Sequence, residues 1–389
     1  MRIVQVRTHL LKVPLSSQHS FYSSQASFPA RESLLVEVVT QDGVTGWGEA
    51  GQYGPGAPIA TVVEKVFWPI IQQLPNHAPR VLWERLYAMH RDFGARGPYI
   101  EALSGLDVAL WDAYGKTTGR SVAELLGGRQ RDSVVAYATG CYFKSRDFDS
   151  AELPRLGEEA SSYVEAGFHG LKMKVGLYSL AAERQRVSAV RDALGEGFPL
   201  MVDANHAYSA VNAISLGRHL EQAGVRWFEE PVVPEDRDGY RRVRDALSIP
   251  IAGGEAEYTR YGFRDLIADG CVDIAQPDLG VCGGFSELLA IASIASANSV
   301  SVVPHIWGSG IALAAGLQAI AMLPNNPHTL DPKPFENEPV LEYDQTANPL
   351  RDDLVPNLPM LQEGRLQIPA GGGLGVEVDR EVLKRYEQE

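Results

Sequence analysis

Three acids, each closing a short apolar run, constrain this chain more than any other feature: Asp203 in LMVDAN, Glu229 in WFEEP and Glu255 in PIAGGE. Both intervals are 26 residues, about one strand, one helix and two short loops, which is the repeat of a (β/α) barrel. In such a barrel the C-terminal ends of neighbouring parallel strands meet around one opening. Three carboxylates brought there repel one another unless a cation sits between them. The spacing therefore predicts a barrel with a divalent-metal site at its rim.

A chain of 389 residues suits a barrel of about 200–250 residues plus a smaller domain. The first part reads as α+β: strand-like IVQVRTHLL, a polar loop from His19 to Phe28, then SLLVEVVT and VTGWGEA around the turn signal Gln41-Asp42-Gly43. PYIEALSGLDVALWDAYGKTTG carries apolar residues at helical spacing and ends in Gly119. The expected division is an N-terminal α+β capping domain over 1–127, a catalytic barrel over 128–365, and a C-terminal segment over 366–389 that packs back on the cap. Within the barrel, strand candidates at 133–140, 170–175, 200–205, 227–231, 249–255, 272–278 and 300–306 alternate with helical stretches. That alternation implies parallel strands with right-handed crossovers. An eighth strand falls between Thr329 and Asp344.

The net charge of −14 argues against a nucleic-acid or anionic-membrane partner. Cys141, Cys271 and Cys282 form no CxxC and read as reduced thiols of a cytoplasmic protein. No apolar run approaches the roughly 18–20 residues of a membrane span, and the N-terminus lacks the core of a signal peptide. The glycine-rich LGVCGGF has no GxGxxG frame, which argues against a nucleotide loop.

Lys172 and Lys174 in LKMKV project to one face of their strand. Barrel strands are usually apolar on both faces, so two lysines there demand a use. Crowded together in a partly desolvated cavity, each should lower the other's pKa and make a base near neutral pH. Taken alone, KxK also fits a structural Lys–Glu pair. Across the ring, Asp278 in QPD precedes His305 in VVPHIWG by 27 residues, which suits an Asp-oriented imidazole. Six successive strand ends carrying charge match the needs of proton abstraction beside a carboxylate: an all-oxygen Mg²⁺ site to hold it and bases on either side.

These motifs, in this order, resemble the mandelate racemase branch of the enolase superfamily, as do LDVALWDAYGK, SVAELLGG and GLGVEVDRE. The resemblance implies a modified (β/α)7β TIM-type barrel under an α+β cap. It also implies Asp203, Glu229 and Glu255 as Mg²⁺ ligands, and Lys174 and His305 (assisted by Asp278) as acid/base residues. Lys172 would tune Lys174 or touch the substrate, with Asn205 beside metal and substrate. The branch usually carries a glutamate on the eighth strand; Asp331, Glu336 and Glu342 are available, and Glu342 in its apolar context is favoured. HIWGSG departs from mandelate racemase, so mandelate is not the expected substrate. A narrower likeness, through VDANHAY, QPDLGVCGGFSE and LEYDQTANPLRDDL, is to sugar-acid lactone cycloisomerases of the branch. It implies α-proton abstraction and β-elimination on a sugar acid or its lactone; acid-sugar dehydration and racemisation or epimerisation are the alternatives. Candidate substrate contacts are His206, Trp307, His19, Phe21, Tyr22 and Tyr53, and enzymes of this branch imply a homo-oligomer.

Overall fold

The computed structural model describes residues 1–51 and 54–388. β1 (Ile3–Pro14), β2 (Ala30–Thr40) and β3 (Thr45–Ala50) form an antiparallel sheet in that order. The Pro98–Thr118 helix lies against β3 so closely that only glycine fits there: a Cβ at Gly46 would sit 2.2 Å from the Ala109 carbonyl oxygen. The helix stops at Gly119, whose φ of 67° reaches the left-handed region. It is apolar on more than one face because it has two partners. Leu103, Leu106 and Leu110 join the core of the cap, whereas Val108 and Trp111 join that of the barrel.

Eight parallel strands follow: β4 (Ser133–Gly140), β5 (Leu171–Lys174), β6 (Leu200–Asp203), β7 (Phe228–Glu229), β8 (Ile251–Gly253), β9 (Ile274–Ala275), β10 (Ser301–Val302) and β11 (Leu341–Asp344). Their spatial order is β10-β9-β8-β7-β6-β5-β4-β11. Helices separate consecutive strands, and only the order at β11 breaks the sequence. β12 (Arg365–Gln367) pairs antiparallel with the start of β4. The chain then returns to the cap, where Gln388 N donates to the Leu10 carbonyl at 2.8 Å.

Period-2 alternation sorts the barrel strands into two environments. Leu171, Met173, Leu200 and Val202 face the helices in the main core. Val135, Tyr137, Met201, Trp227, Ala252, Val303 and Val340 form a separate apolar cluster that closes the barrel interior. On that plug stand the charged residues. Register sets Lys174 beside Asp203 and Asp203 beside Glu229 on consecutive strands.

Candidate active site

Around the ring, Asp203 closes β6, Glu229 closes β7 and Glu255 follows β8. Each offers a carboxylate oxygen, all within 4.8 Å of one another, and all three residues are buried. Glu229 is held from three sides: by Lys172 Nζ at 2.5 Å, Gln276 Nε2 at 2.7 Å and Trp227 Nε1 at 3.0 Å. Glu255 Oε2 and the neighbouring Asn205 Oδ1 are buried without a hydrogen-bond partner. Three converging carboxylates, one of them with an oxygen that lacks a hydrogen bond, are a donor set that fits a hard divalent cation. A lone buried oxygen of this kind is costly in the free protein.

Lys174 Nζ donates to Asp203 Oδ2. Lys172 lies behind it, 2.9 Å from Glu342 and 3.8 Å from Asp203 as well as on Glu229. Lys172 does lower the pKa of Lys174, but the expectation that this makes a base near neutral pH in the metal-free protein is overturned. Burial does push both down, but the charges of Glu229 and Glu342 on Lys172, and of Asp203 on Lys174, outweigh it and hold both ammonium groups above the usual lysine range. Two cations surrounded by more anions are stabilised as cations.

His305 stands on the other flank of the triad. Its Nδ1 bonds Asp278 Oδ2 at 2.7 Å, which leaves Nε2 facing Glu255 at 3.3 Å. Burial lowers its pKa, but Glu255 and then Asp278 and Glu342 more than compensate and raise it to about 10. Glu342, the favoured eighth-strand acid, is buried on β11, accepts from Thr139 Oγ1 at 2.7 Å and from Ile306 N at 3.3 Å. Its pKa falls to about 2, because Lys172, His305 and Lys174 overcome the burial that would raise it. Asp331 is exposed, and Glu336 lines a smaller cavity of about 190 Å³ at the opposite barrel end.

Above the triad a cavity of about 690 Å³ opens between barrel and cap, roomy enough for a six-carbon acid. Lys174, Asn205, His206, Glu255, His305 and Trp307 line it from the barrel. Asn205, His206 and Glu230 hold positive φ values of 42°, 65° and 44°, backbone strain concentrated at the rim. Three cap residues expected at the mouth, His19, Phe21 and Tyr22, do not line it. His19 is exposed and pairs with Ser16, and Tyr22 bridges to Phe143 through the backbone. Phe21 is buried against Phe28 and Tyr142, which anchors that ribbon and turns its neighbour aside. Tyr53 lies outside the described residues. The described cap residues that do reach the cavity include Ser23, Gln25, Phe28, Arg31 and Glu49.

Sequence reasoning missed five supporting groups. Trp227 and Gln276 stand two residues before Glu229 and Asp278, so period-2 alternation could have flagged them. Glu230, adjacent to a triad member, lies 3.1 Å from His206 Nε2, and burial followed by the charges of Glu255, Asp203 and Glu229 raises its pKa well above normal. Arg31 and Glu49 sit in cap strands far away in sequence and carried no signal.

The fold and this ring of charges define a class, and sequence comparison agrees. Residues 6–127 match the mandelate racemase/muconate lactonizing enzyme N-terminal domain, and residues 155–382 match the enolase C-terminal domain-like family. The chain belongs to the mandelate racemase/muconate lactonizing enzyme family of the enolase superfamily, and its named relatives are enzymes. It is 43% identical to D-galactarolactone cycloisomerase of Agrobacterium fabrum over 99% of both chains. It is 34% identical to arabinonate dehydratase of Saccharolobus solfataricus over 91% of this chain and 90% of that one. Among solved structures, the 3,6-anhydro-D-galactonate cycloisomerase of Zobellia galactanivorans superposes with a TM-score of 0.87 at 37% identity over the whole of both chains. A mutant L-talarate/galactarate dehydratase liganded with Mg and L-glucarate superposes with a TM-score of 0.84 at 28% identity, over 100% of this chain and 92% of that one. Among the described residues, no helix is long and apolar enough to cross a membrane.

Proposed function

We propose that this protein abstracts the proton α to the carboxylate of a sugar acid or its lactone and then expels the β-oxygen. The observation that carries the reading is the triad of buried carboxylates flanked by Lys174 on one side and the His305–Asp278 pair on the other. Asp203, Glu229 and Glu255 would hold a Mg²⁺ ion, whose chemistry there is to bind the substrate carboxylate and stabilise negative charge on it. Lys172 and Glu342 stand behind the reacting centre, where they fix the charge balance around Glu229. Lys174 and His305 serve as the acid/base pair. With a cation on the triad, the charge of Asp203 and Glu255 that holds both groups protonated would be offset, so that one can shed its proton and act as base. That group removes the α-proton, the electron pair passes into the carboxylate to give an enediolate, and its collapse breaks the β C–O bond. The other protonates the departing oxygen, and the enol product then tautomerises to a 2-keto acid. Asp278 positions His305 by fixing its tautomer. Asn205, His206 and Trp307 line the substrate cavity.

The likeness to D-galactarolactone cycloisomerase favours a lactone ring oxygen as leaving group. The likeness to arabinonate dehydratase favours a second reading, loss of hydroxide from an open-chain acid. Proton NMR in D₂O on a set of acid sugars and lactones, with and without EDTA, tests both. The expected result is Mg²⁺-dependent α-deuteration and a keto-acid product. An inverted stereocentre without elimination would replace the proposal with epimerisation, and metal-independent turnover would overturn it.

A further inference from the structure

We infer that the far end of the substrate cavity is built for an uncharged oxygen, so the substrate carries a single carboxylate. The inference rests on the reading above and decides between its substrate classes. A sugar acid bound with one carboxylate at the triad extends its other end toward the cap. There Arg31 is buried and lines the cavity. Its guanidinium stacks 4.2 Å from the centre of the Trp307 ring, on the residue two beyond His305. Arg31 Nη1 and Trp307 Nε1 are both buried donors without a hydrogen-bond partner. Two adjacent unsatisfied donors cost free energy that a bound acceptor recovers.

The charge around them selects the acceptor. Arg31 Nη2 is already bonded to Asp344 Oδ2 at 2.5 Å, and both side chains are buried, so the pair is neutral. Asp344 is fixed in turn by Thr346 Oγ1 at 2.7 Å. Arg351, 3.9 Å from the same carboxylate, is balanced by Asp352 at 2.7 Å. Lys174, the other non-histidine cation on the cavity wall among the described residues, pairs with Asp203. Exposed Glu235 adds negative charge to the lining, and Glu32 there is already paired with Lys12. A second carboxylate at this end would meet spent cations and like charge, in a site partly shielded from water. A lactone carbonyl, a ring ether or a hydroxyl would satisfy the two donors without that penalty. The class selected is therefore an aldaric-acid monolactone or an anhydro-aldonic acid, not an open-chain aldarate.

The test uses the Mg²⁺-loaded full-length enzyme with galactarolactone and open-chain galactarate as probes, followed by proton NMR in D₂O. Galactarate and galactonate, which differ in the charge of one terminus, are also compared by calorimetric binding. The lactone should exceed galactarate in kcat/KM by about 100-fold, and galactonate should bind more tightly than galactarate. Asp344→Asn frees the Arg31 charge and should raise the galactarate-to-lactone ratio by about 10-fold or more. Trp307→Phe keeps the stack but removes the N–H, and should raise KM for the lactone about 5–10-fold with little change in kcat. Galactarate turned over as well as the lactone, or bound as tightly as galactonate, would overturn the inference while leaving the enolisation reading intact. Absence of α-deuteration with every probe would overturn that reading and the inference with it. The wild-type comparison decides even if Asp344→Asn fails to fold.

Discussion

At the scale of single residues, Lys174 and His305 occupy opposite flanks of one carboxylate triad, and their surroundings keep both protonated in the metal-free protein. Their roles in the proposed chemistry are separable. Lys174→Ala and His305→Asn should each lower elimination by about 10²–10⁴-fold, the usual contribution of a positioned acid or base. Only the variant that keeps the proton-abstracting group should still exchange the α-proton with D₂O. Exchange surviving in both variants, read by NMR, would refute the assignment. Much of this constellation was legible because a barrel repeats: the same position, one strand end, recurs about every 26 residues and collects the charge. The supporting contacts were less legible. Gln276 and Trp227 matter only because they reach a carboxylate on a strand they do not belong to or stand one layer beneath it. The direction of the lysine shift was misread because spacing shows which residues share a strand face, whereas the three acids that dominate come from other strands.

At the scale of elements, the Pro98–Thr118 helix and the cap hairpin stand where periodicity puts them, but β7, β9 and β10 have only two paired residues each, inside longer apolar runs. After β7 the chain leaves the ladder through the positive φ of Glu230, at the cavity rim. Cap and barrel are joined by Glu49 at the end of β3. Its carboxylate accepts from Ser309 N at 3.0 Å and Ala312 N at 3.2 Å, at the start of the Gly310–Met322 helix, and from Ser33 Oγ at 2.8 Å. Glu49→Ala strands these donors, and a cost of about 1–3 kcal/mol should lower Tm by roughly 3–8 °C. Because Trp307 precedes that helix, KM should rise as well; an unchanged Tm by calorimetry would contradict the clamp. A second joint ties β1 to the C-terminal helix Arg380–Tyr386. His9 lies 3.1 Å from Glu37 and 2.7 Å from Glu387, while Arg380 lies 2.7 Å from Glu37. Burial lowers the His9 pKa, but the two glutamates outweigh it and raise it above 6.5, so its contribution is complete below that pH and fades as pH climbs through the raised value. Burial raises Glu37, but His9 and Arg380 bring it from 4.5 to about 2, so its contribution is complete above 4.5 and fades as pH drops toward 2. The Tm difference between wild type and His9→Gln should therefore be greatest between about pH 4.5 and 6.5 and shrink above it. A difference independent of pH would show that His9 acts through packing alone.

At the scale of the whole molecule, the barrel places an unbalanced cluster of buried charge above an apolar plug and below a cap that shields it. Asp203, Glu229, Glu255 and Glu342 face two lysines and one histidine, and Glu255 has no lysine partner. Such a cluster holds together without an ion because Lys172 bridges Glu229, Glu342 and Asp203, so the metal-free protein is expected to fold. It should nevertheless be less stable than the loaded form, since a cation that binds only the native state adds about 2.7 kcal/mol at a hundred times its dissociation constant. Tm should accordingly rise with the logarithm of Mg²⁺ concentration and fall back on adding EDTA, independently of any substrate. Glu255→Gln removes the carboxylate with the unsatisfied oxygen and relieves like-charge repulsion at once. It also gives up the 3.3 Å attraction to His305 Nε2, so the metal-free Tm should stay close to that of wild type, yet the Mg²⁺-dependent rise should be lost together with α-proton exchange. A Glu255→Gln protein that still gains stability from Mg²⁺ would place the ion elsewhere. A wild type indifferent to Mg²⁺ would remove the cation from the proposed chemistry and leave three buried acids whose counter-charges, among the described residues, are Lys172, Lys174 and His305.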